Sequence, residues 1–243
     1  MKRNKLQTQT ITFAAATPAG SYAIAVCEID NNFKRIAGIS FIEVATNDPS
    51  PRLSLRDAQD YFIANVRLDF LSAKNIPEAN DRFCEVNLKG AGNKIYVTVV
   101  IAAPLLSAYT FDIVYKLDNQ DPTKKPRIKY DARNVTILLG TTPFQQSFNM
   151  DIYYRQVTAI CLQMISGIFV TDYLRINLFD NIGEFIGMVP QAALQNSIDK
   201  SMEKNFTKVE FVRGKGNKIT AQYTSPSTLL ANVDTDLIFK LEA

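Results

Sequence analysis

Three cysteines, Cys27, Cys84 and Cys161, are the thiols of this 243-residue chain, and it contains no histidine. A nucleophilic thiol needs a base beside it, so cysteine-protease chemistry is excluded. The missing histidines also remove the commonest general base and the commonest metal ligand. The cysteines are far apart and form neither a CxxC pair nor a zinc spacing. Each stands in an apolar run, which predicts buried free thiols and synthesis in a reducing cytoplasm.

Gly214-Lys215-Gly216-Asn217-Lys218 has the look of a phosphate-cradling loop. It lacks the Walker spacing, and the pattern after it is a strand rather than a helix. A tight hairpin whose glycines supply positive φ angles is the expected role. Asp57, Asp60, Asp118 and Asp121 have no EF-hand spacing, so solvated surface positions are expected. Asn134-Val135-Thr136 and Asn205-Phe206-Thr207 match a glycosylation sequon by chance. Tyr61, Phe62, Tyr153 and Tyr154 lie in apolar runs and are expected in the core. The expectation is a protein with no catalytic residue, no metal and no cofactor.

The basic start, Lys2, Arg3 and Lys5, is the one candidate binding segment. A solvated terminus is the plainer and favoured reading; the alternative is a flexible arm that touches lipid or genome phosphates. Gln7-Thr8-Gln9-Thr10 interrupts any signal-peptide core, so secretion by that route is not expected. No apolar run reaches the length of a membrane helix. Apolar residues make up 47% and charged residues 21%, with a net charge of +3. That balance is ordinary for a globular protein and does not mark specific nucleic-acid recognition.

The elements that carry these residues are strands. Ser21–Ile29, Ile36–Val44, Lys94–Ile101, Thr110–Lys116, Asn134–Leu139, Val157–Ile165, Ile168–Leu178, Lys208–Val212 and Asp236–Leu241 are rich in β-branched and aromatic residues. Helical periodicity is weak, with one short helix expected over Ala192–Met202 and an irregular counterpart over Ala73–Asn80. About eight short strands per half is the signature of a sandwich or barrel.

The halves repeat one another. Gly90-Ala91-Gly92-Asn93-Lys94-Ile95 returns as Gly214-Lys215-Gly216-Asn217-Lys218-Ile219, 124 residues later. Over Gly90–Asp118 against Gly214–Glu242, 10 of 29 positions are identical, where chance gives roughly two. Upstream, Phe33–Ile39 aligns with Tyr154–Ile160, Arg52–Leu55 with Arg175–Leu178, Asp57 with Asp180, and Phe62-Ile63 with Phe185-Ile186. This is a domain-sized duplication. The expected organisation is a first domain over 1–118, a linker over 119–133 with Pro122 and Pro126, and a second domain over 134–243. Two copies of one small sandwich in a chain let a trimer present six similar domains around a ring.

These features resemble the double jelly-roll major capsid proteins of tailless icosahedral phages with an internal membrane, in particular the lipid-containing Flavobacterium phages. The carrying residues are the Phe33–Ile39 and Tyr154–Ile160 blocks, Leu53–Ile63 with Ile176–Ile186, and the Gly-x-Gly-Asn-Lys-Ile and Lys-Leu-acid segments of both halves. The resemblance implies an all-β fold of two tandem eight-stranded jelly rolls. It also implies homotrimers packed with neighbouring capsomers, penton and minor capsid proteins, location in the virion, and a lipid membrane on the inner face. Long tower insertions are missing. The alternatives are another phage part (spike, baseplate or fibre-attachment protein) or a tandem β-sandwich ligand-binding module.

Overall fold

Alternation of apolar and polar residues sets the strands. In Lys94–Ile101 the side chains of Ile95, Val97, Val99 and Ile101 are buried while Lys94 and Val100 face out, the period of a strand covered on one face. The computed structural model describes residues 4–43, 50–72, 82–138, 140, 143–166, 174–195, 202–225, 229 and 231–243. The chain divides into two compact units, Met1–Tyr130 with Ile198–Lys204, and Asp131–Ser197 with Asn205–Ala243.

The first unit holds β1 (Lys5–Phe13), β2 (Gly20–Glu28), β3 (Arg35–Glu43), β4 (Arg52–Arg56), β5 (Tyr61–Arg67), β6 (Cys84–Lys89), β7 (Lys94–Ile101) and β8 (Tyr109–Asp118). A single helical turn, α1 (Leu68–Leu71), follows β5. One sheet has the order β1-β8-β3-β6, and the other runs β2-β7-β4-β5. Every pairing is antiparallel.

β9 (Ile128–Ile137) crosses the boundary between the units. The second unit continues with β10 (Phe144–Asn149), β11 (Gln156–Ser166), β12 (Arg175–Phe179), β13 (Glu184–Pro190), β14 (Thr207–Arg213), β15 (Lys218–Thr224) and β16 (Val233–Glu242). Its sheets run β9-β16-β11-β14 and β10-β15-β12-β13. Both units therefore follow one rule. Strands one, eight, three and six form one sheet; two, seven, four and five form the other. That is the jelly-roll connection, two interleaved Greek keys.

Each unit closes over its own core. In the second, Val135, Ile160, Val212 and Phe239 of one sheet meet Phe148, Ile176, Leu178, Ile219 and Tyr223 of the other. In the first, Ile36, Ile39, Phe41, Phe111 and Ile113 are sealed in one sheet, and Leu53, Leu55, Phe62, Val97 and Val99 in the other.

Several expectations change here. The Gly-x-Gly-Asn segments are not hairpins within a sheet. β6 pairs with β3 while β7 pairs with β2 and β4, so the turn is a corner carrying the chain from one sheet to the other. β14 and β15 repeat this. The helix expected over Ala192–Met202 is, among the described residues, two short 3₁₀ turns, Gln191–Ala193 and Met202–Asn205. Residues 73–80 lie outside the described residues. β9 begins at Ile128, earlier than the expected Asn134.

Residues 119–127, expected as solvated linker, are held on the first unit. The Asn87 amide donates to the carbonyls of Pro122 and Pro126 at 3.0 Å each. Lys125 pairs with Glu85 at 2.8 Å.

Candidate functional site

The cysteines offer no reactive thiol. All three are buried and free. Burial pushes Cys161 up to about 12 and raises Cys27, away from the thiolate form that reacts. Cys84 donates to the Ile39 carbonyl at 3.0 Å. Among the described residues no group of three His, Cys, Asp or Glu side chains lies together to hold a metal.

What the chain does build, twice, is a cluster of three turns at one end of each jelly roll. In the first unit the corner Gly90–Asn93 meets the β2–β3 turn and the β4–β5 turn. Gly90 and Ala91 donate to the carbonyls of Lys34 and Phe33 at 2.7 and 2.6 Å, and Asn93 closes its turn on Gly90 at 2.7 Å. In the second, Gly214 and Lys215 donate to Arg155 and Tyr154 at 2.8 and 2.5 Å, and Asn217 closes on Gly214 at 2.6 Å. The side chains repeat too. Asn93 Nδ2 donates to the Lys89 carbonyl at 2.9 Å and approaches Asp57 at 3.5 Å. Asn217 Nδ2 reaches Arg213 at 2.9 Å and Asp180 at 3.4 Å.

The aspartates that open the turns cap them. Asp57 Oδ1 accepts from the backbone of Gln59 and Asp60 at 2.9 and 3.1 Å. Asp180 Oδ1 accepts from Ile182 and Gly183 at 2.7 and 3.0 Å. Asp30 accepts from Asn32, and Asp151 from Tyr153, each at 2.9 Å. These are Asx turns, the short carboxylate standing in for a backbone acceptor. The glycine-rich loop is therefore a structural corner, with the amides of Gly214, Lys215 and Asn217 already bonded to carbonyls.

Asp57 and Asp118, expected at the surface, are buried. Arg127 grips Asp57 with two bonds of 2.9 and 3.1 Å, and also bonds Gln59 Oε1 and the Asp60 carbonyl at 2.7 and 2.8 Å. Arg35 grips Asp118 through Nε at 2.9 Å and Nη2 at 2.5 Å. Asp121 caps its 3₁₀ turn on Thr123 at 2.9 Å, and Asp60 lies 3.6 Å from Lys129. The Arg35 clamp has no arginine counterpart in the second copy, where Gln156 stands for Arg35. Beside Arg35 opens a cleft of about 350 Å³ lined also by Cys84, Glu85, Lys116 and Lys125. Its charges of both signs include the Lys125–Glu85 pair.

The clamps are expected to set the acid limit of the fold. Burial would raise the Asp118 carboxyl, but its Arg35 bonds, the Gln120 N–H and the Arg35 charge hold it below the ordinary value. For Asp57 burial is likewise outweighed by Arg127 and the turn amides. A depressed carboxylate contributes stability that is full above its unfolded value, about 3.8, and lost as pH falls through the folded value. Urea midpoints are expected to hold steady down to about pH 4 and to fall below it. The double variant Arg35→Met/Asp118→Leu, which replaces the pair with apolar side chains, is expected to blunt that fall. An unchanged acid slope would assign the effect elsewhere.

Of the basic arm, Lys2 and Arg3 lie outside the described residues. Lys5 opens β1 and pairs with Asp30 at 2.6 Å. Tyr154 and Phe62 are buried as expected, but Tyr153 is 72% exposed and Tyr61 39%. Tyr153 sits on a turn rather than in a strand. Asn134 and Asn205, the sequon residues, close no glycosylation argument: the Asn134 amide is bonded to Asp236 at 3.2 Å.

The class defined by this strand order is the tandem jelly roll. No family model matches the chain, and no curated protein matches it. Among solved structures, it is similar to the major capsid protein P2 of bacteriophage PM2, with a TM-score of 0.47 and 7% identity over 98% of both chains. PBCV-1 VP54, fitted into a reconstruction of the virophage Sputnik, gives a TM-score of 0.41 and 10% identity over 99% of this chain and 94% of that one. The Faustovirus major capsid protein gives 0.39 and 7% over 100% and 90%. The fold assignment stands on the strand order itself.

Proposed function

We propose that this chain is a viral major capsid protein that self-assembles as homotrimers, each presenting six jelly rolls, into an icosahedral shell around a membrane and genome. The carrying observation is the presence of two jelly rolls of identical connectivity in one chain, with the same turn network at the same end of each. A duplicated scaffold in which the glycine-rich corner and its aspartates serve folding is suited to tiling, because a trimer of doubled units approximates sixfold symmetry. The capsid roles named for the PM2 and Faustovirus proteins come to this chain as part of this proposal. So do neighbouring capsomers, penton and minor capsid proteins as partners, residence in the virion, and synthesis in the host cytoplasm, with which three free buried thiols agree. The domain scheme of 1–118, 119–133 and 134–243 and the phosphate-facing role of Lys2, Arg3 and Lys5 belong to the same proposal.

Light scattering across a concentration series tests it. A stable species near 82 kDa, three copies of 27.2 kDa, is expected. A monomer at every concentration would favour a tandem binding module instead.

A further inference from the structure

The two turn clusters share their hydrogen bonds but not their tips. Asp30-Asn31-Asn32-Phe33 of the first copy corresponds to Asp151-Ile152-Tyr153-Tyr154 of the second, and Asp57-Ala58-Gln59-Asp60 to Asp180-Asn181-Ile182-Gly183. The backbone is the same in each pair: Phe33 bonds back to Asp30 at 3.2 Å and Tyr154 to Asp151 at 3.3 Å. Asp57 bonds Asp60 at 3.1 Å and Asp180 bonds Gly183 at 2.9 Å. Even the seat is shared, since Asn31 lies over Gly92 and Ile152 over Gly216. On this common frame the first copy carries Asn31, Asn32 and Gln59. The second carries Ile152, Tyr153 and Ile182, exposed by 60%, 72% and 73%.

Large apolar side chains so exposed bring no folding advantage, and the first copy shows that the frame does not need them. They stand on turns between strands. Around them the cations Arg155, Lys215 and Lys218 are exposed, against the single exposed carboxylate of Glu184 on these turns. Asp151 and Asp180 spend their carboxylates on turn amides. Protruding aliphatic tips, a tyrosine with its polar end, and a ring of cations are the chemistry of a surface that enters the headgroup layer of an anionic bilayer.

We infer that this end of the second jelly roll is a lipid-docking surface, with Ile152, Tyr153 and Ile182 inserting into an anionic membrane. The first copy's equivalent turns are engaged by the chain itself, Lys5 on Asp30 and Arg127 on Gln59. The inference goes beyond the assembly proposal and does not require it.

The test is flotation of the full chain with vesicles of phosphatidylcholine and phosphatidylglycerol in equal parts, beside phosphatidylcholine alone. Binding is expected to the anionic vesicles and to weaken with salt. The variant Ile152→Asn/Tyr153→Asn/Ile182→Gln installs residues that the first copy already tolerates on the same frame, so it is expected to fold with an unchanged melting temperature. It should bind about tenfold more weakly. The variant Leu106→Gln, which removes an aliphatic side chain 90% exposed on the first unit, should keep the binding. The inference is overturned by no vesicle binding in the parent, by parent-like binding in the tip variant, or by loss of binding in the Leu106→Gln variant. A tip variant that changes the mass in solution, while the parent ignores vesicles, would make these tips a protein interface. Light scattering on the same samples reads assembly separately from lipid binding.

Discussion

Aspartate in place of Ile39 or Ile160 is expected to leave no soluble folded protein. The two residues occupy aligned positions, one in β3 and one in β11, and both are fully buried. Ile39 lies between Cys84 and Tyr115 of its neighbouring strands, Ile160 between Thr207 and Phe239. The substitution removes the burial of a branched side chain, about 2–5 kcal/mol, and places a carboxylate at a fully buried position, several kcal/mol more. The sum matches the whole stability of an ordinary domain, about 5–15 kcal/mol. Ile→Val at the same positions should cost only about 1 kcal/mol. Soluble yield and a thermal melt of each variant decide the matter. A trimer retained by either aspartate variant would remove that residue from the core.

The second large effect is expected at two glycines whose φ angles are ordinary. A Cβ on Gly90 would stand 2.4 Å from the Phe33 carbonyl oxygen and 2.8 Å from the Arg35 nitrogen. On Gly214 it would stand 2.5 Å from the Tyr154 oxygen and 3.0 Å from the Gln156 nitrogen. All four obstacles are backbone, held by the corner's own hydrogen bonds, so nothing can rotate aside. Gly90→Ala and Gly214→Ala should each cost about 3 kcal/mol, the upper end of overpacking. Gly92 and Gly216 fail differently. Their φ of +66° and +70° is the left-handed region, where alanine costs about 1–2 kcal/mol. Urea midpoints of the four variants should fall into two pairs, matched by position in the corner and not by domain. A Gly90→Ala protein as stable as its parent would refute the close approach.

The repeat made much of this legible. Gly90 with Gly214, Asn93 with Asn217 and Asp57 with Asp180 could be paired from the sequence because a corner with fixed backbone contacts tolerates few residues. The aligned blocks at Phe33 and Tyr154 turned out to be the very segments on which those corners rest. Sequence could not say that the corner joins two sheets, since β6 and β7 choose partners far along the chain. Strands such as β10, with its run of polar residues Gln145, Gln146 and Ser147, give little apolar signal. The Arg127 clamp on Asp57 spans 70 residues, so no local pattern points to it. Tyr153 was legible in principle. Setting Asp-Asn-Asn-Phe against Asp-Ile-Tyr-Tyr places it on a turn tip whose counterpart is polar.

The eighth strand of each unit does not finish at an edge. β8 slots between β1 and β3, and β16 between β9 and β11. During synthesis each unit must hold a gap in its sheet until its final strand leaves the ribosome. The first unit has its closing strand by Asp118 and can seal while the second is still being made. The second then waits with β9 and β11 unjoined, two interior edges open for the whole of its translation. Because the halves are copies, the strand best able to fill that gap wrongly is a β8 from another nascent chain. A β8 paired between β1 and β3 of its own chain is not free to fill that gap.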